Sequence, residues 1–474
     1  MINETIFREY DIRGITGKEL NAEFAYQLGL TYSEWAHEKL GHDNLTISVG
    51  RDCRLTSDEY SEALIRGLTD SGINVIDIGT CPTPLTYFSV HHYQTNGAIM
   101  ITGSHNPAEY NGFKIGIGKD TLHGPQIQEL KNVMKTGKFT SRKKGSVTQK
   151  EIISHYVDYV SKQIKPNRKL KVVLDAGNGT AATVAPLLFD MLGAEVVKLY
   201  CELDGRFPNH HPDPTVPKNL AKLIETVKET KADFGVGYDG DSDRIGAVDE
   251  NGKIIFGDEL MIIFSRSVLN QVPGATVISE VKSSNRLYND IAKNGGNPLM
   301  WKTGHSLIKS KMKETKAALA GEMSGHIFFA DRWFGFDDAI YSSARLYEIL
   351  ANKMLTEEGT ISSILKDLKP VKNTPEIRID CEEEKKFKLI EEASLILQKK
   401  TGSDAKITTI DGLRVDYSNG WGLIRASNTQ PVIVMRFEAE SDDILQKIQK
   451  DFETALIDGA LKIGHEKINF NSSH

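Results

Sequence analysis

The sequence predicts an α/β protein, with three related domains of mixed strands and helices followed by a C-terminal α+β domain. Three observations carry that expectation. A strand–helix–Gly–strand unit recurs at intervals of roughly 110–130 residues, too long for a solenoid and suited to related domains. After Pro375 the pattern changes to short strands flanked by charged helices. At 474 residues, the chain also exceeds what a single hydrophobic core supports.

In the first copy, Thr46 to Gly50 reads as a buried strand and Thr56 to Asp70 as a helix with Leu64, Ile65 and Leu68 at its apolar positions. Gly72 then leads into a strand from Ile73 to Ile78. The second copy is strand Val172 to Leu174, helix Ala181 to Leu192, Gly193, and strand Glu195 to Leu199. The third is strand Thr276 to Ile278, helix Asn285 to Lys293, Gly295-Gly296, and strand Pro298 to Trp301. Apolar strands joined through helices are the pattern of parallel α/β units. One large dinucleotide-fold sheet is the alternative. Breaks at Thr136 to Lys150, Asp249 to Gly252 and Lys369 to Pro375 argue against it and set expected domains of 1–149, 150–253, 254–370 and 371–474. In the last domain, Glu384 to Lys399 reads as an amphipathic helix. Ile407 to Ile410, Leu413 to Tyr417 and Pro431 to Phe437 read as strands, Asn419-Gly420 as a hairpin turn, and Asp442 to Leu456 as a closing helix.

Composition narrows the function classes. Hydrophobic and charged fractions of 39% and 26% suit a soluble globular chain. A formal charge of −6 gives no general electrostatic reason to bind nucleic acid or an anionic membrane. The basic run Arg142-Lys143-Lys144, with no interleaved aromatics beyond Phe139, reads as a solvated linker. Cys53, Cys81, Cys201 and Cys381 form no C-x-x-C pair, which argues against structural zinc or a disulfide framework and fits a reducing compartment. Met1 to Gly14 lacks an apolar leader core, and no run of about 18 apolar residues occurs. A cytoplasmic protein is expected.

Two segments about 135 residues apart ask for the same partners. Thr102-Gly-Ser-His-Asn-Pro107 reads as a loop that presents a serine, with Gly103 supplying a permissive backbone and Pro107 fixing the exit. Asp239-Gly-Asp-Ser-Asp-Arg244 alternates three carboxylates and ends in a cation. A phosphoserine carries about −1.5 to −2 charge and three acceptor oxygens. It shares a site with three carboxylates only around a divalent metal, because each like-charge pair about 4 Å apart costs roughly 4 kcal/mol even at an effective dielectric near 20. Oxygen-only ligands favour Mg²⁺, Mn²⁺ or Ca²⁺ over zinc.

Several imitations fail. Asp239, Asp241, Asp243 and Glu250 match positions 1, 3, 5 and 12 of an EF-hand, but Arg244 stands where glycine is needed and the flanks read as strands. Gly235-Val-Gly-Tyr-Asp-Gly240 matches G-x-G-x-x-G, yet carboxylates and a strand follow where a helix should receive pyrophosphate. His37-Glu38 with His42 has the wrong spacing for a zincin, and neither a G-x-S-x-G elbow nor a P-loop occurs. Two further loops carry polar clusters. Arg425-Ala-Ser-Asn-Thr-Gln-Pro431 suits a phosphate gripped by a guanidinium and neutral donors, and Gly321-Glu-Met-Ser-Gly-His326 suits sugar hydroxyls.

These four loops, in this order, resemble the α-D-phosphohexomutase family over essentially the whole chain. Met323 is similar to the phosphomannomutase/phosphoglucomutase branch, the phosphoglucosamine branch usually carrying glutamine there. The resemblance implies four domains around a central cleft and interconversion of hexose 1- and 6-phosphates of mannose or glucose. It also implies one Mg²⁺ per chain and hexose 1,6-bisphosphate as intermediate and activator. Ser104 would be the phosphorylated nucleophile, with Asp239, Asp241 and Asp243 on the metal that bridges to its phosphate, and Arg244 steadying that phosphate. Lys114, in Asn111-Gly-Phe-Lys114, and His305, in Lys302-Thr-Gly-His-Ser306, are the implied acid/base candidates. Glu322 and Ser324 would hold sugar hydroxyls. Arg425, Ser427, Asn428 and Thr429 would hold the phosphate that is not reacting, and Tyr10, Arg13, Lys282 and His326 would contact substrate. Phosphoglucosamine mutase, a serine-intermediate sugar phosphatase and a silent sugar-phosphate binder are the alternatives. The expected partners are hexose phosphates alone, and the expected state is a monomer or weak oligomer.

Overall fold

The computed structural model describes residues 3–402, 405–428, 430–464, 468 and 470. They form two compact units, one of residues 1–278, 290–298 and 304–366, the other of 279–289, 299–303 and 367–474.

The first unit opens on a seven-stranded sheet in the order Ile12–Ile15, Tyr110–Ile117, Ala98–Ile101, Thr46–Arg51, Asn74–Thr80 and Val147–Gln149, with Asp120–Thr121 beside Tyr110–Ile117. Thr46–Arg51 runs parallel to Asn74–Thr80 and to Ala98–Ile101. Helices Ser57–Asp70 and Thr83–Tyr93 make the crossovers that parallel strands require. Residues 102–109 form no helix, so the next strand returns antiparallel and pairs Met100 with Lys114. Leu28, Leu64 and Leu68 from helices Ala22–Leu40 and Ser57–Asp70 pack with Ile47, Val49, Ile99 and Phe113. Each such buried aliphatic contributes about 1.5–3 kcal/mol. The polar break expected from 136 to 150 is only partly a linker, because Val147–Gln149 joins this sheet through Asn74–Thr80.

The second sheet runs Ile254–Ile255, Ile245–Asp249, Phe234–Tyr238, Lys171–Asp175, Glu195–Leu199. Phe234–Tyr238 is parallel to Lys171–Asp175 and antiparallel to Ile245–Asp249, and Tyr238 pairs with Ile245 to close the loop 239–244. The expected helix Ala181 to Leu192 is instead a 3₁₀ turn, Thr180–Thr183, followed by helix Ala185–Met191. Pro186 lacks an N–H and is tolerated only in a first helical turn, so the α-helix restarts there. The third copy supplies strands Thr276–Glu280 and Asn297–Trp301 and helix Asn285–Lys293. Beyond it, Leu319–Gly321 pairs antiparallel with Ile327–Phe329 and closes the loop 322–326.

The second unit is built on an antiparallel sheet in the order Lys372–Asn373, Val432–Ala439, Gly420–Ala426, Leu413–Tyr417, Lys406–Thr408, with Ile377–Asp380 also on Val432–Ala439. Tyr417 pairs with Gly420, as the Asn419-Gly420 signal predicts. Helices Glu383–Lys400 and Asp442–Lys462 bury Leu389, Leu397, Phe452 and Leu456 against Ile424, Met435 and Phe437. The strand expected at Ile407 to Ile410 is Lys406–Thr408.

Candidate active site

In the first unit the same device occurs three times. Two antiparallel strands are joined by a short loop, and the loop carries the polar side chains. Ser104 lies between Ala98–Ile101 and Tyr110–Ile117, the aspartates between Phe234–Tyr238 and Ile245–Asp249, and Glu322, Ser324 and His326 between Leu319–Gly321 and Ile327–Phe329.

The serine loop departs from expectation. Ser104 is 2% exposed, not presented to solvent. It also bears the positive backbone angle itself (φ 50°), a conformation disfavoured for residues with a Cβ, while Gly103 does not. Glycine is required at 103 by Arg54, whose guanidinium lies where a Cβ on that residue would stand, 2.6 Å from its Cζ. The buried Arg54 donates from Nη1 to the carbonyls of Pro107 (2.7 Å) and Tyr110 (2.9 Å), and from Nη2 to those of Ser104 (2.8 Å) and Asn106 (2.6 Å). Its Nε donates to Asp52 at 3.1 Å. Thr102 Oγ1 accepts the Ser104 N–H at 2.8 Å. With that many fixed bonds the loop is over-determined and holds a strained residue at about 1–3 kcal/mol. The Ser104 hydroxyl donates to Asp239 Oδ2 (3.0 Å) and lies 3.1 Å from His105 Nδ1.

The aspartate loop organises itself. Asp239 Oδ1 accepts the N–H groups of Asp243 and Arg244, each at 3.1 Å. Gly240 has no Cβ because one would meet the Ser104 carbonyl at 2.5 Å, so the two loops touch through backbone. Asp239, Asp241 and Asp243 are fully buried, and ligand atoms of all three lie within 4.8 Å of one another. Asp241 Oδ2 accepts from Thr83 Oγ1 (2.6 Å) and Lys114 Nζ (2.8 Å), and Asp243 Oδ2 also accepts from Lys114. Asp241 Oδ1 and Asp243 Oδ1 are buried without a hydrogen-bond partner.

The electrostatics agree with that geometry. Burial, then repulsion from Asp243 and Asp241, pushes the Asp239 carboxyl well above the usual carboxylate range. Burial opposes the charge on Lys114, but Asp241 and Asp243 outweigh it and raise its pKa well above the usual value. The Lys114 ammonium and the Arg244 guanidinium together carry one charge fewer than the three buried carboxylates. Two unpaired oxygens and a carboxyl forced toward protonation fit a hard divalent cation bound through oxygen.

The remaining expected residues of this unit cluster around the third loop. Arg244 Nε donates to His326 Nε2 at 3.0 Å. The rings of His326 and His305 stack at 5.2 Å, and Tyr10 meets His305 edge-on at 5.5 Å. Glu322 Oε1 accepts the Gly304 N–H at 2.7 Å, and Ser324 Oγ is 3.5 Å from Glu322 Oε2. Arg13 donates to Asn106 of the serine loop at 2.8 Å and pairs with Asp11.

In the second unit, Arg425 Nε donates to Asp411 Oδ2 at 3.0 Å, and Ser427 Oγ accepts the Gln430 N–H at 3.2 Å. Asn428 is partly buried beside them, and Thr429 lies outside the described residues. Lys282 Nζ donates to Glu376 at 3.0 Å. Burial would raise Glu376, yet Lys282 and Arg378 draw it down to about 2.

Sequence reasoning missed three contributors: Arg54, Thr83 and the fully buried Asp337, whose Oδ2 lies 3.1 Å from His326 Nδ1. Arg54 left a trace, because Asp52-Cys53-Arg54 puts charge immediately after a buried strand. Asp337 precedes a helix and resembles an ordinary cap. Thr83 carries no local signal.

Residues 4–141, 154–252, 256–371 and 376–455 match, in turn, the phosphoglucomutase/phosphomannomutase α/β/α domains I, II and III and the C-terminal domain of the same family. A phosphomannomutase/phosphoglucomutase of Pseudomonas putida is 50% identical over 455 residues, covering 96% of each chain. A phosphoglucomutase of Neisseria gonorrhoeae is 45% identical over 96% of this chain and 97% of its own. The crystal structure of a phosphoglucomutase/phosphomannomutase family protein from Burkholderia thailandensis superposes with a TM-score of 0.90. It has 42% identity and covers 99% of this chain and 100% of that one.

Proposed function

The chain belongs to the phosphoglucomutase/phosphomannomutase family and is an enzyme. From that premise we propose that it interconverts hexose 1-phosphate and hexose 6-phosphate, of mannose, glucose or both, through a phosphorylated Ser104 and a hexose 1,6-bisphosphate. One observation carries this reading: the Ser104 hydroxyl is 3.0 Å from Asp239, at the edge of three buried carboxylates with two unpaired oxygens.

Phosphoryl transfer depends mainly on positioning and on neutralising charge at the transferring oxygens. A substrate hydroxyl oxygen bonds to phosphorus while the bond from phosphorus to Ser104 Oγ breaks, leaving its electron pair on Oγ. The hydroxyl proton passes to His305, whose Nε2 has no hydrogen bond among the described residues. Lys114 is less available, being held by Asp241 and Asp243. Lys114, kept as the ammonium by Asp241 and Asp243, would return a proton to Ser104 Oγ and recover it in the reverse step, while burial keeps His105 neutral. The bisphosphate then turns end for end, and its other phosphate returns to Ser104 by the same steps reversed. Asp239, Asp241 and Asp243, with the Ser104 phosphate, would hold one Mg²⁺, which when bound neutralises charge on the transferring oxygens. Arg244 would steady the Ser104 phosphate, and Glu322 and Ser324 would take sugar hydroxyls. Arg425, Ser427, Asn428 and Thr429 would grip the non-reacting phosphate, with Tyr10, Arg13, Lys282 and His326 as further contacts.

Four domains divided near residues 149, 253 and 370 are part of this reading, and the four matched family segments support them. Among the described residues no helix is long and apolar enough to cross a membrane, and the four cysteines are free thiols, which suits a reducing compartment such as the cytoplasm. The test is isomerisation of mannose and glucose 1-phosphates by wild-type protein and by Ser104→Ala, with inorganic phosphate followed in parallel. Isomerisation lost in the variant, with little phosphate released by the wild type, is expected. Stoichiometric phosphate release would instead identify a phosphatase.

A further inference from the structure

In the second unit, the loop that carries Arg425, Ser427 and Asn428 rests on a buried lysine to which neither the sequence motifs nor the proposed chemistry assigns a role. Lys386 lies in helix Glu383–Lys400 on the face that also carries Leu389, Ile390, Ala393 and Leu397, where an apolar residue is expected. It is 1% exposed. Its ammonium donates to the carbonyls of Ser427 (2.6 Å) and Gln430 (3.0 Å) and to the carboxylate of Glu383 (2.7 Å), which uses all three of its N–H bonds. Arg378 adds a bond from Nη1 to Gln430 Oε1 at 3.0 Å.

We propose that Lys386 is a positioning residue that fixes the loop gripping the non-reacting phosphate, by turning the Ser427 and Gln430 carbonyls toward the helix. This rests on the mutase reading above. A buried charge is costly unless it is paired and hydrogen-bonded, so the lysine holds its acceptors in place. The peptide between Ser427 and Asn428 is trans, and its C=O and N–H point in opposite directions. With that carbonyl on Lys386, the Asn428 N–H points away from the helix, which is the geometry a phosphate seated on the outer face of the loop requires.

A lysine is not what packing alone would select here. Methionine or leucine at 386 would fill the same space and complete the apolar stripe without the cost of burying an ammonium. The arrangement is the counterpart in the second unit of Arg54, a buried cation that gathers carbonyls of the Ser104 loop. Other bonds of the phosphate loop are local. Ser427 Oγ accepts the Gln430 N–H at 3.2 Å, and the Ser427 N–H donates to the Val432 carbonyl at 3.0 Å. Those bonds fold the loop on itself, and Lys386 fastens it to the helix.

Lys386→Met keeps the length of the side chain and removes its charge and donors. With hexose 1,6-bisphosphate saturating, KM for glucose 1-phosphate is expected to rise about 10-fold, the scale of one hydrogen bond lost to the phosphate. The change in kcat should stay under about threefold, because a phosphate held equally in ground and transition states affects binding alone. In wild-type protein labelled with ¹⁵N-asparagine, the Asn428 amide, assigned from the spectrum of Asn428→Ser, is expected to shift on titration with inorganic phosphate. In Lys386→Met the same shift should need about 10 times more phosphate. A variant with wild-type KM, or one whose kcat falls while KM holds, would overturn the proposal. So would a wild-type Asn428 amide that phosphate does not move, a result that decides even where Lys386→Met fails to fold. A wild-type protein that exchanges no hexose phosphates would end the mutase reading alone, because the phosphate titrations still measure what Lys386 does for the loop.

Discussion

The two loops that meet at the candidate site reach their shapes by opposite routes. The aspartate loop is built largely from its own atoms, since Asp239 accepts the N–H groups of Asp243 and Arg244 and the strand pair Tyr238–Ile245 closes it. The serine loop is shaped from outside, by four carbonyls converging on Arg54, a residue 50 positions earlier in the chain. The first loop uses Asp239 to hold its own backbone and still leaves two carboxylate oxygens unpaired, whereas the second has an external cation that sets a strained serine in place. Breaking the aspartate loop should therefore cost activity with little stability, and breaking the support of the serine loop should cost both.

The largest effect is expected at Ser104→Ala, which removes the hydroxyl proposed to carry the phosphoryl group, so kcat should fall by about 10⁴-fold or more, while stability should fall by no more than the roughly 1–3 kcal/mol of one buried hydrogen bond. Next is Asp241→Asn. Loss of one carboxylate proposed to hold the metal, at a site of transition-state charge, should lower kcat by about 10²–10³-fold. Mg²⁺ at 100 times its dissociation constant should stabilise wild type by about 2.7 kcal/mol, readable as a shift in melting temperature that is sharply reduced in Asp241→Asn. Gly240→Ala puts a Cβ 2.5 Å from the Ser104 carbonyl. The resulting displacement of about 1 Å should lower kcat by roughly 100-fold and leave metal binding nearly intact. Arg54→Lys leaves several carbonyls without donors, each costing about 1–3 kcal/mol, so chemical denaturation should show a loss of at least that size together with reduced activity. If Arg54→Lys is as stable as wild type, the contrast between the loops disappears.

The smallest expected effect concerns the helix Thr83–Tyr93, whose first residue bonds Asp241. Its His91 is pushed down to about 4, mainly by burial. A histidine with a depressed folded pKa is neutral in the native state while the unfolded chain takes up a proton. Stability should therefore be unaffected above pH 6.5 and should decline as pH falls from there toward 4. Because His91 is only partly buried, the slope should stay well under the limit of about 1.4 kcal/mol per pH unit. His91→Gln should flatten the decline in a pH series of denaturation curves.

The same contrast explains what was legible in the sequence. Alternating carboxylates between two apolar strands are a local pattern, and the loop they make is local, so a shared oxygen site for a divalent metal was an expectation the residues themselves could carry. Repeating strands and helices were readable for the same reason, apart from the break at Val184 that Pro186 imposes. The serine loop was recognisable as a motif but misjudged as exposed, because its burial comes from Arg54 and from the aspartate loop 135 residues later. Thr83 and Asp337 were invisible because nothing near them in sequence marks them. They act only where the fold brings distant strand ends together. The mixed sheet had a readable cause too, since residues 102–109 are too few for a helical crossover and force an antiparallel return.

On the mutase reading, Ser104 stores a transferable phosphoryl group beside the aspartate triad. Incubating the protein with ³²P-labelled hexose 1,6-bisphosphate and Mg²⁺, then mapping the label by peptide mass, tests it most directly. Label is expected on Ser104 alone, discharged quantitatively by unlabelled hexose monophosphate and recovered as bisphosphate. Label on another residue, or label on Ser104 that leaves only as inorganic phosphate, would contradict it.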